Sequence, residues 1–272
     1  MTALAKRWAR HGERIGLVPT MGALHAGHAS LIRRAAAEND VVIVTIFVNP
    51  LQFGPREDVT RYPRTLRRDL ALAESAGATA VFAPSVAEMY PAGFQTSVKV
   101  QALSSRWEGK SRPGHFEGVA TVVTMLLALT QPTRAYFGQK DYQQSVIVRR
   151  IVRDLKLPVA IRVLPTIREP DGLAMSSRNA YLTPAQRTRA SLLYETLRHA
   201  RAQMGRGERR AAPLLREMRR RLQDAKMRVD YVAIVDPATL DPVARVRGSV
   251  ALLVAAWVGR TRLIDNLLVD VP

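Results

Sequence analysis

From residue 15 to residue 165, short apolar runs alternate with stretches whose apolar positions recur every three or four residues. Ile15 to Val18 is the first such run. Pro19-Thr-Met-Gly22 breaks it, and residues 29–37 then put Leu31, Ile32 and Ala35 on one side of a predicted helix. Residues 41–48 are apolar and mostly β-branched without alternation, which predicts a parallel strand covered on both faces. An amphipathic helix follows over 64–76, ending at Gly77, where a missing Cβ suits a left-handed cap. The pattern then predicts strands over 79–83 and 96–100, an apolar helix over 116–130 and a strand over 135–137. A helix over 141–155 and a strand over 159–165 complete it, and a short polar helix over 4–11 precedes the first strand.

After residue 178 the pattern changes. Thr183-Pro184-Ala-Gln186 reads as a helix start, with Thr as N-cap, Pro at the first helical position and Gln placed to reach back. Helices over 184–204 and 209–225 are separated by Gly205-Arg-Gly207. Strands follow over 229–235, 250–258 and 261–269, the last two close enough to form a hairpin. The expectation is an α/β chain. Residues 1–170 form a Rossmann-like, doubly wound parallel sheet joined by right-handed crossovers, and residues 171–272 a smaller α+β domain.

Composition narrows the classes. The chain has 272 residues, 47% of them hydrophobic, enough for a sizeable core, and no cysteine, which removes disulfides and cysteine chemistry. No apolar run reaches the roughly 18–20 residues of a membrane span, and residues 1–10 lack the apolar centre of a signal peptide. A protein of the cytoplasm, neither exported nor membrane-bound, is expected. The net charge of +18 raises nucleic-acid binding. Only six of the 41 basic residues are lysines, however, and the arginines are spread along the chain, densest over 206–221, without interleaved aromatics for base stacking. No specific nucleic-acid partner is therefore expected, although the surface should attract anions.

The chemistry gathers at the first strand-to-helix junction, Leu17-Val-Pro-Thr-Met21-Gly22-Ala23-Leu24-His25-Ala26-Gly27-His28. A strand entering a helix through such a turn offers unpaired backbone N–H groups and the positive helix end to an anion. Two histidines three residues apart share a face of the first turn and can donate to phosphate oxygens; the plain alternative is a pair of capping or surface histidines. Asn49 and Gln52 follow the second predicted strand, where their amides are suited to holding a hydroxyl or carboxylate, or are ordinary loop residues. Gly138-Gln139-Lys140-Asp141 joins a strand to a helix and sets a cation and an acid beside a potential nucleotide, or forms a solvent-facing ion pair.

His25-Ala-Gly-His28 resembles the His-x-Gly-His signature of the nucleotidyltransferase superfamily. The longer string from Val18 resembles the pantothenate synthetase family, the pantoate–beta-alanine ligases. Phe47-Val-Asn49-Pro-Leu-Gln52-Phe-Gly54, the segment at Gly138 and Ala174-Met175-Ser176-Ser177-Arg178-Asn179 are similar to family motifs in the same order. The likeness runs from about Gly12 to Asn266. Gln139 departs from it, since the family commonly has Glu there, and the segment before the first helix is shorter than usual.

The resemblance implies an AMP-forming amide ligase. D-pantoate and ATP give pantoyl adenylate and pyrophosphate, and beta-alanine then displaces AMP to give pantothenate. It implies a mobile 175–178 loop over the triphosphate and a smaller domain that covers the site. Catalytic roles fall to His25, His28, Lys140, Ser176, Ser177 and Arg178. ATP binding falls to residues 21–28, Gly138, Gln139, Lys140, Asp141, Ile167 and residues 175–178. Pantoate is assigned to Gln52, Gln144, Met21 and Arg112, beta-alanine to Gln52 and Asn49, and Mg²⁺ to Asp69. A homodimer is implied as well. Two rivals stand beside this reading: another superfamily member such as a cytidylyltransferase, which leaves Gln52 and Gln144 without a use, and a nucleic-acid binder relying on its arginines.

Overall fold

The computed structural model describes residues 1–55, 57 and 59–271. In chain order the elements are α1 (Thr2–Arg10), β1 (Ile15–Thr20), α2 (Ala26–Glu38), β2 (Val41–Ile46), α3 (Leu66–Ser75), β3 (Ala80–Phe82), α4 (Val86–Met89), α5 (Gln101–Ser104), α6 (Trp107–Ser111) and α7 (His115–Thr130). They continue with β4 (Arg134–Gly138), α8 (Tyr142–Asp154), β5 (Ala160–Leu164), α9 (Pro184–Ala190), α10 (Leu192–Gly205), α11 (Ala211–Asp224), β6 (Arg228–Val235), β7 (Gly248–Val258) and β8 (Thr261–Val271). The chain divides into two compact units: Met1–Gln139 with Gln143–Pro165, and Lys140–Tyr142 with Thr166–Pro272.

Among the described residues the first unit holds five parallel strands in the order β3-β2-β1-β4-β5. β1 and β2 pair in register from Ile15↔Val41 to Thr20↔Ile46 and are buried at every position but one in each strand. That two-sided burial is why both read as unbroken apolar runs. Ala29, Leu31, Ile32 and Ala35 of α2 pack on Val18, Val42, Val44 and Tyr136, so the helical stripe meets the sheet as its spacing requires. The chain leaves β1 through α2 toward β2, whereas β4 lies on the other side of β1. The strand order therefore reverses between β1 and β4, which opens a crevice at their carboxyl ends.

The second unit is a sheet β6-β7-β8, antiparallel throughout. The β7–β8 hairpin turns at Gly259 and Arg260, the glycine with φ +61°. Leu193, Leu197, Met204, Leu214, Met218 and Leu222 of α10 and α11 pack on Leu252, Val254 and Ala256. Tyr142 donates to the Pro237 carbonyl at 2.8 Å, and Asn266 donates through Nδ2 to the Lys140 carbonyl at 2.8 Å, which ties residues 140–142 into this unit.

Two predicted elements differ. Residues 96–100 form no strand: most of them are exposed, and Val98 N–H bonds the Thr121 hydroxyl of α7 at 2.9 Å instead of a neighbouring strand. The helix expected over 184–204 is split at Ser191, whose hydroxyl bonds the Thr188 carbonyl at 2.9 Å, a back-bond of the kind that bends helices. No helix among the described residues is long and apolar enough to cross a membrane.

Candidate active site

The signature turn is held from two sides. Thr20 donates its hydroxyl to the Thr45 carbonyl at 2.6 Å and accepts from Gly22 N–H at 3.1 Å, so the end of β1 is locked to β2 as the chain turns away. Gly22 and Ala23 then adopt φ of +80° and +50°. The first suits glycine. The second is a conformation that a residue with a Cβ adopts only when its surroundings impose it. They do so through Asp69 of α3, 1% exposed, whose Oδ2 accepts from Ala23 N–H at 2.9 Å and Oδ1 from Leu24 N–H at 2.8 Å.

The histidines follow at once. His25 is the N-cap of α2 in extended conformation, and its Nδ1 accepts from Gly27 N–H at 3.1 Å. His28 reaches back, its Nδ1 accepting from His25 N–H at 3.3 Å, and the two rings lie 4.1 Å apart between centroids. The capping and phosphate readings of this pair are therefore compatible. An imidazole whose Nδ1 accepts carries its neutral-form proton on Nε2, so the cap sets both rings as Nε2–H donors at the positive end of α2.

After β2, the side chains of Asn49 and Gln52 form a chain of bonds with one consistent polarity. Tyr90 donates its hydroxyl to Asn49 Oδ1 at 2.7 Å, and Asn49 Nδ2 donates to the Gly118 carbonyl at 3.0 Å and to Gln52 Oε1 at 3.1 Å. A carbonyl only accepts, so the Asn49 amide cannot be reversed. Gln52 is thereby left presenting Nε2, which lies 3.0 Å from Met21 Sδ. Met21 and Gln52, assigned together from the sequence, are thus brought together. Burial pushes the Tyr90 phenol up to about 12, which keeps it a donor at any working pH. α7 crosses this loop so closely that a Cβ at Gly118 would sit 2.3 Å from the Leu51 carbonyl oxygen.

Arg112 is engaged in hydrogen bonds to three protein partners. Its Nε donates to Glu57 Oε1 at 2.8 Å, Nη1 to His115 Nε2 at 3.1 Å and Nη2 to the Gln52 carbonyl at 3.3 Å. Because a guanidinium only donates, His115 accepts at Nε2 and donates from Nδ1 to the Gln52 carbonyl at 2.8 Å. Burial, and then the neighbouring Arg112 charge, hold the His115 pKa down at about 4. Tyr90, Glu57 and His115 received no site role from the sequence, because each acts on a residue dozens of positions away and has no local signature.

Gly138 ends β4, Gln139–Asp141 make a single 3-10 turn, and Gln144 is partly buried in the first turn of α8. In the second unit Lys140 is only 20% exposed at its side chain, 3.9 Å from Asp141, and so is not a freely solvated lysine. Met175 N–H bonds the Ile167 carbonyl at 3.0 Å, which draws this ATP-assigned residue and the 175–178 loop together. Ser176 caps the short turn Ser177–Tyr181, its Oγ accepting from Arg178 N–H at 3.3 Å, and Asn179 Nδ2 braces the loop on the Ala174 carbonyl at 3.1 Å.

Residues 1–268 match the family model described as Pantoate-beta-alanine ligase. The chain is 55% identical over 263 residues to a protein of Moorella thermoacetica named pantothenate synthetase, covering 96% of this chain and 93% of that one. A pantothenate synthetase structure from Thermus thermophilus superposes with a TM-score of 0.91 at 52% identity, covering 94% of this chain and 93% of the other. A pantoate-beta-alanine ligase structure from Francisella tularensis, complexed with beta-gamma ATP and beta-alanine, gives a TM-score of 0.80 at 37% identity, over 97% of this chain and 95% of that one.

Proposed function

This chain belongs to the pantoate-beta-alanine ligase family, and from that premise we propose how its residues divide the work of making pantothenate. It is an amide-forming ligase that couples pantoate to beta-alanine with ATP as co-substrate. A carboxylate is a poor acylating agent. Attack of a pantoate carboxylate oxygen on the α-phosphorus of ATP expels pyrophosphate and leaves an acyl adenylate, from which the beta-alanine amine displaces AMP. No covalent bond to the protein is needed, so the protein's task is positioning and charge stabilisation.

The observation that carries this reading is the reciprocal histidine cap. It makes two Nε2–H donors out of a helix start that already favours anions, immediately after the carboxyl end of the central strand. We assign His25 and His28 to the phosphates, where each neutral ring donates a hydrogen bond from Nε2–H to oxygens that gain charge as pyrophosphate departs, with no proton transferred. The backbone over 21–28, Gly138 to Asp141, Ile167 and Met175 are assigned to the nucleotide. Lys140, Ser176, Ser177 and Arg178 are assigned to the phosphates as negative charge moves onto pyrophosphate. Gln52, with its Nε2 presented beside Met21, and Gln144 are assigned to pantoate, and Asn49 with Gln52 to beta-alanine. Arg112 supports pantoate indirectly, through the Gln52 carbonyl that it and His115 hold. A cytoplasmic homodimer is part of the same proposal, on the strength of the family resemblance.

Magnesium belongs to this proposal as a companion of the triphosphate. Among the described residues no group of three or more His, Cys, Asp or Glu side chains is placed to hold a metal ion. Mg²⁺ commonly relies on phosphate oxygens and water, and supplies charge neutralisation there. Asp69, with both oxygens receiving N–H donors, does not fit the part of its ligand.

The test is pyrophosphate release from ATP and Mg²⁺ with D-pantoate, with and without beta-alanine. The expected result is release that requires pantoate and becomes sustained, AMP-producing turnover when beta-alanine is added. Silence with pantoate from folded, magnesium-replete protein, or a stable nucleotide product in the manner of a cytidylyltransferase, would refute it.

A further inference from the structure

Asp69 lies 46 residues beyond Ala23 in sequence, yet it determines the shape of the turn that launches the histidines. Its carboxylate is 1% exposed and accepts from Ala23 N–H at 2.9 Å, Leu24 N–H at 2.8 Å and the Thr65 hydroxyl at 3.1 Å. Thr65 is the N-cap residue of α3, but its side chain makes no cap bond and is directed at Asp69 instead. The two N–H groups belong to consecutive residues at the end of a stretch that has just passed through φ of +80° and +50°. Such a backbone holds only where something outside over-determines it, and charge-assisted bonds from one carboxylate to two successive N–H groups are suited to that. A Cβ at Gly22 would lie 3.1 Å from the same Oδ2, so the carboxylate also fills the hollow of the turn.

A magnesium ligand would need one of these oxygens at about 2.0–2.1 Å from the ion, on an atom already receiving the positive end of an N–H dipole. We propose that Asp69 is a positioning residue for the phosphate-binding turn and not a metal ligand: by clamping Ala23 and Leu24 it sets where His25 begins α2, and hence where both imidazoles stand. This rests on the reading above, that the turn receives ATP.

The test compares wild type with Asp69→Asn, in which one oxygen becomes an NH₂ group facing a backbone N–H. Pantoate-dependent pyrophosphate release should fall by about 10²-fold in kcat, the scale expected for a misplacement of about 1 Å, with the KM for pantoate little changed. The Mg²⁺ concentration giving half the maximal rate should stay the same. In ¹⁵N spectra the variant should lose the hydrogen-bonded shifts of the Ala23 and Leu24 amides and alter the ring nitrogens of His25 and His28, a signature that a merely destabilised core does not give.

Activity restored to Asp69→Asn by raising Mg²⁺ would overturn the proposal, as would unchanged kcat with unchanged imidazole signals. A second measurement needs no variant. Mn²⁺ alone, added to nucleotide-free wild type, should leave the Ala23 and Leu24 amide signals unbroadened, and selective broadening of them would make Asp69 a ligand after all. Should wild type release no pyrophosphate with pantoate, the nucleotide reading fails by itself, while the amide and Mn²⁺ signals still decide what the carboxylate does.

Discussion

At the scale of single residues, the site depends on bond polarity more than on charge. Tyr90, Asn49 and Gln52 form a relay in which each partner admits one orientation, and its product is an amide with a defined donor end. Tyr90→Phe keeps the tilted and edge-on ring contacts with Phe47 and Phe94 and removes only the first donor. The loss should be about 0.5–1.5 kcal/mol, seen as a roughly two- to tenfold rise in KM for beta-alanine or pantoate with a small change in melting temperature. Steady-state kinetics on the two substrates would show it, and an unchanged KM for both would remove Tyr90 from the site.

His115 gives a residue-scale prediction in pH. Folded, it stays neutral down to about 4; unfolded, it takes up a proton near its ordinary 6.5. The unfolded chain therefore binds more protons between those values. This contribution is fully present above pH 6.5 and is lost as the pH falls toward 4, at no more than about 1.4 kcal/mol per pH unit. His115→Asn can still offer an N–H to the Gln52 carbonyl but does not titrate there. Urea denaturation at about pH 7, 5.5 and 4.5, spanning the two ends of that window, should show a shallower acid loss for the variant, whereas parallel curves would contradict the assignment.

At the scale of elements, close packing decides where the loops stand. α7 reaches the Asn49–Gln52 loop because Gly118 lets its backbone come within bonding distance of Asn49 and against the Leu51 carbonyl. Gly118→Ala must push the helix and loop apart, since the added carbon would meet backbone and not a movable side-chain end. The expected outcome is loss of most pantoate-dependent activity together with destabilisation on the order of 1–3 kcal/mol, as for other overpacked sites. Thermal melting beside pyrophosphate assays would check it, and a variant with wild-type stability and activity would show the packing to be looser than described. The elements themselves were largely readable in advance. β1, β2 and α2 announce themselves because burial on two faces, or on one stripe, is written directly in side-chain polarity. Residues 96–100 misled because β-branched composition cannot say whether a neighbouring strand is there to pair with. The break at Ser191 is a local hydroxyl bond inside an otherwise helical pattern. Candidate residues such as His25, Gln52 and Ser176 stand out in the sequence because each lies in a recognisable string, the first two just after β1 and β2. Asp69, Tyr90 and His115 act across 46, 41 and 63 residues, and no periodicity carries that information.

For the whole molecule, the net charge of +18 is a background field and carries no sequence code. Any association with duplex DNA should be weak, indifferent to sequence and steeply lost with salt. What the proposed reaction asks of the chain is hydrogen bonds and charge directed at a triphosphate, with no nucleophile of the protein's own. Oxygen labelling tests that most directly. With D-pantoate carrying ¹⁸O in both carboxylate oxygens, mass spectrometry of the products of complete turnover should find one label in AMP and the other in the amide carbonyl of pantothenate. Label in pyrophosphate or inorganic phosphate, with none in AMP, would mean that the carboxylate attacks elsewhere on ATP and would contradict adenylate formation at this site.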